Sequence, residues 1–325
     1  MTIRFKPALR AALLIAATAC GLPAHADDYP AKPVRVIVPF PPGAGVDIVT
    51  RLVAAKLTTE LGQTFIVENR SGAGGNVGAG EAARAAPDGY TVLAAPSSIA
   101  ISQSLYTKLP FKVEKDFRSV ALLATVPFIL VVNPKVQAKS VAELIALAKA
   151  KPDALTYAST GNGSSPQLTA EMFAMDSGIK LRHVPYRGSA PAMTDLMSGL
   201  VDMMFANALS VLPQVRTGQL RALATTSAQA DPNTPELATM QQSGVAGFES
   251  NTWFVLMVPA GTPEPIINKL NQTVAKVMQL PDVQKTLQLQ GASAGHGTPA
   301  EVDAYVKREI DKSAAIVKAA NIHID

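Results

Sequence analysis

The sequence is poor in cysteine, because Cys20 is the only one in a chain of 325 residues. One thiol cannot form a disulfide within the chain, and it cannot supply a cysteine-based zinc site. Aromatic residues are also scarce, at 5% of the chain, whereas alanine, valine and leucine are frequent. This composition favours an α/β protein in which helices cover sheets.

Histidine is equally rare, and its distribution argues against catalysis. Beyond residue 26 the histidines are His183, His296 and His323, far apart along the chain. They do not have the spacing of metal ligands, and no nucleophile elbow of a hydrolase is predicted. His183 ends an apolar run, and we expect it to be structural. The sequence therefore predicts no catalytic residue, no metal and no cofactor.

Long apolar runs and a strong net charge are both missing after residue 26. No stretch approaches the roughly 18 uninterrupted apolar residues that a membrane-spanning helix needs. The chain has 29 basic and 25 acidic residues, but Arg4, Lys6 and Arg10 lie at its start. Without these three the balance is 26 to 25. The sequence shows no basic patch of the kind that binds nucleic acid.

Residues 1–26 have the pattern of a secretory signal. A basic segment precedes the short apolar core Ala11–Ala19, and Ala24-His25-Ala26 forms a small-x-small cleavage site. We therefore expect export from the cytoplasm with cleavage after Ala26. The alternative is a lipid anchor at Cys20, although the three residues before it lack the usual leucine of a lipobox.

Strand-like and helical segments alternate along almost the whole chain, which is typical of parallel sheets with helical crossovers. We predict two lobes, each a mostly parallel sheet flanked by helices. Residues 27–126 together with 250–325 form the first lobe, and residues 127–249 form the second. Two crossings between the lobes predict a pair of hinge strands.

Loops that could bind a ligand share one location in this prediction. Each follows the carboxyl end of a strand, where open α/β sheets bind their ligands. Loops facing one another across a cleft would enclose a ligand of modest size. The loops are 40–47, 72–78 and 96–98 in the first lobe, and 159–166, 185–189 and 206–208 in the second.

The loop after the first strand, Val34–Val38, is the strongest candidate. Pro41 and Pro42 stiffen it, and its two glycines let the backbone approach a ligand. The following helix start offers free N–H groups that bind an anion without a charged side chain. Asp47 favours this positive end of the helix and can accept N–H bonds. The alternative is an ordinary strand-to-helix turn with a capping aspartate.

The other loops each leave two interpretations open. The glycine-rich loop 72–80 lacks the Gly-Lys-Ser/Thr ending of a phosphate loop, so close packing is favoured, although Asn76 could reach a ligand. Loop 159–166 is either a donor cradle for a carboxylate or a cap and turn. Arg187 either pairs with an anion or is solvated, and Asn207 could orient a ligand through its amide.

Several motifs coincide with those of a known family and span residues 29 to 318. They are Pro39–Gly43 with Asp47, Glu68–Arg70 before Gly72–Asn76, Pro87–Thr91, Val184–Tyr186, Gly199 with Asp202, Met204–Phe205, Leu220–Ala224 and Pro259–Pro263. This set resembles the solute receptors of tripartite tricarboxylate transporters, often called Bug receptors.

The resemblance implies a periplasmic binding protein with a type II-like, two-lobed fold that closes around a small carboxylate. It implies delivery of the ligand to a two-component membrane permease, and capture mainly through backbone groups and bound waters. The ligand contacts carried over are Phe40, Gly43, Ala44, Gly45, Val46 and Asp47 on one lobe, and Thr160, Gly161, Asn162, Ser164, Ser165 and Asn207 on the other. Asn76, Ser97, Ser98, Tyr186 and Arg187 complete the predicted site.

Two positions depart from the family pattern. Gln167 stands where relatives commonly have histidine, and Ala206 stands where an aspartate often follows Met-Phe. Without that carboxylate the site has no obvious partner for an ammonium group. We therefore expect a ligand without an amino group, such as a di- or tricarboxylate or an aromatic acid.

Two other function classes stay open at this point. A periplasmic enzyme acting on a similar acid would need an acid–base pair, and only Asp47 is available. A receptor that presents its ligand to a sensor protein would use the same fold as a transport receptor.

Overall fold

The computed structural model describes residues 29–230, 234–289 and 291–322. The predicted signal segment with Cys20 lies outside these residues, as does His323. The helices are α1 (Gly45–Leu61), α2 (Asn76–Ala83), α3 (Ser98–Leu105), α4 (Val113–Asp116), α5 (Val141–Ala150), α6 (Ser165–Ser177), α7 (Ser189–Ser198), α8 (Ala208–Arg216), α9 (Glu264–Met278), α10 (Pro281–Leu289) and α11 (Pro299–Ala319). The strands are β1 (Val34–Val38), β2 (Phe65–Asn69), β3 (Thr91–Pro96), β4 (Phe117–Val132), β5 (Thr156–Ser159), β6 (Arg182–Pro185), β7 (Met203–Asn207), β8 (Arg221–Thr225), β9 (Asn251–Pro259) and β10 (Ser293–Ala294).

The strands join in the order β2-β1-β3-β9-β4-β7-β5-β6, and β8 and β10 also pair with β4. Pairing is parallel at both ends of this order, between β2, β1 and β3 and between β6, β5 and β7. The carboxyl ends of these strands therefore lie along one edge in each part of the sheet, where helices begin.

Strand β4 is 16 residues long and belongs to both parts of the sheet. Its residues 117–127 pair with β9, and its residues 128–132 pair with β7 and β8. Pro127, which has no N–H to donate, lies where the partner strand changes. We call β2, β1, β3, β9, β10 and residues 117–127 the first half-sheet. The second half-sheet is β6, β5, β7, β8 and residues 128–132.

Helices cover both faces of each half-sheet. Helices α1, α9 and α10 pack on one face of the first half-sheet, and α2, α3 and α11 pack on the other. Val36 and Ile37 are neighbours in β1 and are buried in opposite clusters, because side chains alternate along a strand. Helices α5 and α6 cover one face of the second half-sheet, and α7 and α8 cover the other.

The predicted α/β class is confirmed, with one refinement to the strand directions. Strands β4 and β9 pair antiparallel with every neighbour, so both half-sheets are mixed. Strand β4 carries the chain from the first half-sheet into the second without a helical crossover. Antiparallel pairing requires no such crossover, whereas parallel pairing does.

Three helices differ from the sequence prediction. Helix α3 begins at Ser98, where the sequence predicted a polar loop at residues 96–98, because the N–H groups of Ala100 and Ile101 donate to the Ser97 carbonyl. Helix α6 begins at Ser165, within the predicted loop 159–166, and accepts Pro166 in its first turn. Helix α10 was not predicted. None of the helices in the described ranges is long and apolar enough to cross a bilayer.

Helix α5 shows one half of a capping box. The Ser140 hydroxyl accepts the Glu143 N–H at 3.2 Å. The Glu143 carboxylate accepts the N–H of Lys139, at 2.7 Å, and not that of Ser140. Helix α11 has the complete box, since Thr298 and Glu301 each accept the other's backbone N–H.

Candidate functional site

Asp47 organises residues 39–47, which we call the first site loop. It is 2% exposed and accepts three hydrogen bonds. The Gly43 N–H donates to Oδ2 at 2.9 Å, while Arg51 Nε and Asn69 Nδ2 donate to Oδ1 at 3.0 and 2.9 Å. Burial alone raises the pKa of Asp47, but these donors outweigh it and hold the pKa below its ordinary value. Asp47 is therefore an ionised brace within the loop.

Asn69, at the end of β2, holds the same loop at its other end. Its amide nitrogen also donates to the Phe40 carbonyl at 2.8 Å. Its amide oxygen accepts from Arg51 Nη2 at 2.8 Å. Because the Asn69 side chain bonds to both Phe40 and Asp47, it fixes the distance between these two residues of the loop.

Helix α1 begins at the end of this loop without a side-chain cap. Ala44 is its N-cap, and the first helical bond runs from the Ile48 N–H to the Ala44 carbonyl at 3.0 Å. Within the described chain the N–H groups of Gly45, Val46 and Asp47 have no acceptor. Free N–H groups at a helix start form an anion-binding site of partial positive charge.

Helix α6 of the second half-sheet begins in the same way. Its N-cap, Ser164, makes no capping bond, and the Ser164 hydroxyl oxygen is buried with no partner among the described residues. Pro166 has no N–H, which leaves Ser165 and Gln167 with the free N–H groups of the first turn. Helix α5 and helix α11, which lie elsewhere, have side-chain caps at this position.

Residues 160–164, which we call the second site loop, rest on a polar group beneath them. The Gly163 N–H donates to Gln167 Oε1 at 2.7 Å, and the Gly161 N–H donates to Ser159 Oγ at 3.2 Å. His183 lies between these supports, with Nδ1 3.3 Å from Gln167 Nε2 and Nε2 2.6 Å from Ser159 Oγ. Burial lowers the pKa of His183 to about 4, so the imidazole is neutral near pH 7.

The helix starts of the two half-sheets lie next to each other. Asn207 ends β7 and is the N-cap of α8. A Cβ placed on Gly45 would lie 4.0 Å from Asn207 Nδ2 and 3.2 Å from Phe254 Cζ. Asn207 Oδ1 is buried and has no hydrogen-bonding partner in the described part of the chain. The starts of α1 and α8 therefore meet where the two half-sheets adjoin, a place that we call the junction.

A second contact between the half-sheets involves Ser97, at the start of α3. The Ser97 hydroxyl is 2.7 Å from the Ser165 hydroxyl of α6 and 2.9 Å from that of Thr252 in β9. Ser97 is 5% exposed. This chain of hydroxyl groups joins the first turn of α6 to the first half-sheet.

The glycine-rich loop 72–78 packs beside the first site loop. A Cβ on Gly75 would lie 3.0 Å from Phe40 Cε2, and one on Gly78 would lie 2.7 Å from the Arg70 carbonyl oxygen. These glycines therefore serve close packing. Asn76 begins α2, is 6% exposed, and has an amide nitrogen without a partner among the described residues. Ser98, nearby, donates a long bond of 3.5 Å to the Gly74 carbonyl.

Three predicted residues lie apart from this group or face away from it. The Tyr186 hydroxyl donates to Asp195 Oδ2 at 2.7 Å. Burial and the Asp195 carboxylate raise the pKa of Tyr186 to about 12. Arg187 is exposed and forms no ion pair with any described residue, and Asn162 is exposed at the tip of the second site loop. Thr160 is half-buried at the start of that loop.

One sequence motif needs correction. Residues Gly291–Gly295 have the Gly-x-Ser-x-Gly spacing, although no nucleophile elbow of a hydrolase is predicted from the sequence. Ser293 lies in the two-residue strand β10, is exposed, and pairs with Thr125 of β4. A nucleophile elbow requires a sharp turn between a strand and a helix. Ser293 therefore lacks the local structure that the chemistry needs.

The chemistry of the junction is that of neutral donors. Its free donors are backbone N–H groups of two helix starts, the Asn76 amide nitrogen and the Ser164 hydroxyl, and its free acceptor is the Asn207 amide oxygen. Asp47 is the one carboxylate among the predicted residues, and its oxygens are occupied. In residues 29–230, 234–289 and 291–322, no three His, Cys, Asp or Glu side chains are grouped as metal ligands. The arrangement can bind an anion without a metal or a charged side chain.

Comparison with protein families identifies the chain. The family described as the tripartite tricarboxylate transporter family receptor, TctC, matches residues 49–322. The chain belongs to this receptor family. The predicted resemblance to these receptors is confirmed.

Individual TctC relatives are similar over almost their full length. Protein BugT of Bordetella pertussis is 38% identical over 308 residues, covering 94% of each chain. Rpa4515 of R. palustris, solved with adipate, is 35% identical with a TM-score of 0.84, covering 91% of this chain and 99% of that one. MatC from Rhodopseudomonas palustris, solved with bound malate, is 32% identical with a TM-score of 0.79, covering 89% and 100%.

Sequence reasoning missed the residues that support the two site loops of this TctC receptor. Asn69 was noticed as part of a motif but given no role, and Arg51 was not singled out. Gln167 was noted as a departure from the family pattern, and His183 as structural. For Gln167 the available signal was a polar residue within a buried segment, since such groups need a partner, whereas Arg51 is exposed and gave no such signal. The ligand roles of the predicted residues stay predictions.

Proposed function

We propose that this TctC receptor binds a small carboxylate without an amino group at the junction of its half-sheets and delivers it to a two-component membrane permease. The observation that carries the proposal is the meeting of uncapped helix starts from both half-sheets. Helix α1 approaches Asn207 of α8, and the start of α6 contacts the start of α3 through Ser165 and Ser97. Their N–H groups are suited to carboxylate oxygens.

The charge of the junction supports a ligand that is anionic and has no ammonium group. Asp47 is sealed by three donors, and Ala206 stands at a position where an aspartate, common in the family pattern, could receive an ammonium. The R. palustris neighbours were solved with adipate and malate, which are both carboxylates without an amino group. We therefore favour di- or tricarboxylates, and aromatic acids as a further class.

We propose that the two half-sheets belong to lobes that close around the ligand. Residues 27–126 and 250–325 would form one lobe, and residues 127–249 the other. Contacts from both lobes to one ligand would favour the closed arrangement over the open one. The two crossings between the lobes, at residues 126–127 of β4 and at residues 249–250, would act as the hinge.

The proposed setting is the periplasm, after removal of the predicted signal segment. The proposed role is binding without catalysis, because an enzyme would need an acid–base pair at the junction and Asp47 is held by fixed donors. Relatives of this family are receptors for transport, which favours a permease over a sensor protein as the partner.

A thermal-shift and calorimetry screen tests the ligand class. We expect adipate, malate or citrate to raise the unfolding temperature, because a ligand at 100 times its Kd stabilises the folded state by about 2.7 kcal/mol. Aspartate and glutamate serve as matched amino acids. Tight binding of these two, with no response to the simple acids, would contradict the proposal.

A further inference from the structure

Ser159, Gln167 and His183 form the polar group beneath the second site loop. Which atom donates and which accepts is fixed for each hydrogen bond in this group. A backbone N–H can only donate, so Gly163 fixes the oxygen of Gln167 at its own side, 2.7 Å away. The Gln167 amide nitrogen must then face His183 Nδ1, 3.3 Å away. Nδ1 is consequently an acceptor, and the imidazole proton lies on Nε2.

The direction continues from His183 into the loop. With its proton on Nε2, the imidazole donates to Ser159 Oγ at 2.6 Å. The Ser159 hydroxyl then donates to the Gly161 carbonyl at 3.1 Å and accepts the Gly161 N–H at 3.2 Å. The backbone N–H groups of Gly161 and Gly163 are thus held by Ser159 and Gln167. Both of these residues contact His183, and its single tautomer fixes the direction of both bonds.

Helix α6 is anchored on this side and joined to the first half-sheet on its other side. Gln167 and Glu171, four residues apart, reach His183 and the Tyr157 hydroxyl, and the Tyr157 ring stacks on His183 at 4.8 Å. Ser165 and Thr169 contact the hydroxyl groups of Ser97 and Ser250 instead. The start of α6 thus links the loop support to the junction.

We propose that Gln167 and His183 are positioning residues, which hold the second site loop and the start of α6 in the shape that receives a carboxylate. The inference rests on the proposed function and deepens it. The neutral amide supports the loop without adding a charge near an anion site. The Gln167 amide oxygen accepts from the loop, and its nitrogen donates to the imidazole. Neither an apolar side chain nor a carboxylate provides both an acceptor and a donor.

The charged groups on the elements around His183 are engaged or turned to solvent. Glu171 of α6 is bound to the Tyr157 hydroxyl, and Asp202, ahead of β7, accepts from Thr156. Arg182, next to His183 in β6, is exposed. Burial lowers the pKa of His183 to about 4, which agrees with an imidazole that stays neutral.

The substitution Gln167→Glu changes the charge and keeps the acceptor for Gly163. A carboxylate facing Nδ1 favours the protonated imidazole and raises the pKa of His183. At low pH the new ion pair has no net charge, so affinity is close to that of the wild type. As the pH rises and His183 loses its proton, an uncompensated carboxylate is left near the anion, and affinity falls about fivefold.

The experiment measures malate and adipate binding by calorimetry between about pH 6 and pH 8, where a histidine with this low pKa does not titrate. Wild-type affinity is expected to be flat over this range and that of Gln167→Glu to fall. Gln167→Met leaves the Gly163 N–H without an acceptor, and its affinity should be about tenfold weaker. Gln242→Met is the matched control, because Gln242 Oε1 accepts the Thr239 N–H at 2.9 Å in a turn away from the junction.

A measurement without ligand separates this inference from the proposed function. The ¹⁵N shifts of His183 should show the proton on Nε2 in the wild type and an imidazolium in Gln167→Glu. Amide exchange of Gly161 and Gly163 should be faster in Gln167→Met and unchanged in Gln242→Met. Wild-type affinity in Gln167→Met, a flat pH profile in Gln167→Glu, or a proton on Nδ1 in the wild type would each overturn the inference. If no carboxylate binds the wild type, the proposed function fails, while the shifts and exchange rates still decide the loop support.

Discussion

Replacing Asp47 by asparagine tests how the first site loop is held. The carboxylate accepts from Gly43, Arg51 and Asn69, whereas an amide has one oxygen and a nitrogen that cannot accept. If the new oxygen faces Gly43, the nitrogen faces two donors. If the oxygen faces those two donors, the Gly43 N–H is left without an acceptor. Either orientation breaks the brace.

The cost follows from which donors are buried. Leaving a buried donor unsatisfied costs about 1–3 kcal/mol. The Arg51 side chain is 49% exposed, so water screens its share of the interaction. We expect D47N to lower the free energy of unfolding by about 2 kcal/mol, and the unfolding temperature by roughly 5 °C for a chain of this size.

The loss should depend on pH in a defined direction. The folded pKa of Asp47 lies below its ordinary value, so folding favours the ionised form. The stabilisation is present above the ordinary aspartate pKa of about 4 and is lost as the pH falls through the lowered folded value. The difference between wild type and D47N should therefore shrink as the pH is taken from neutral toward 3.

Urea unfolding followed by fluorescence provides the assay, because Trp253 is the single tryptophan of the chain and is fully buried. The matched control is D282N, which removes a carboxylate from an exposed ion pair with Lys56 and should change stability little. Equal stability of D47N and wild type at neutral pH, or a difference that does not narrow in acid, would refute the reasoning.

Two further predictions concern the junction. Gly45→Leu should abolish carboxylate binding in calorimetry, since a Cβ at Gly45 already lies 3.2 Å from Phe254, while Ala55→Leu on the exposed side of α1 should bind as the wild type. Ser165→Ala removes the hydroxyl contact with Ser97, so we expect a several-fold weaker affinity and a larger radius by small-angle scattering with ligand. Unchanged affinity in the first variant, or an unchanged radius and affinity in the second, would contradict the placement of these residues.

Helices and strands with a clear apolar pattern in their own sequence could be predicted. Those that depend on contacts with residues far along the chain could not. Strand β1 has the predicted bounds, Val34–Val38, because four of its five residues are β-branched and apolar. Helix α10 was missed because its sequence is mostly polar, with only Val283 and Leu287 buried. The first part of β4 was missed because its pairing is irregular, with two register shifts against β9.

The location of the site loops followed from topology, since the carboxyl ends of neighbouring parallel strands lie at one edge. The side chains that support the loops did not follow. Asn69 is 22 residues from Asp47, and Gln167 is 16 residues from His183, so neither contact leaves a local pattern. Sequence order alone cannot show which buried polar groups meet.

The place of β9 in the sheet has a consequence for the time at which this chain folds. Strand β9 lies between β3 and β4, yet it is made of residues 251–259, far along the chain. During synthesis, β1, β2 and β3 emerge early and can pair with one another, but β3 has no neighbour on its other side until β9 is present. Contacts of such long sequence separation make folding slow. The first half-sheet therefore stays incomplete until most of the chain has been synthesised.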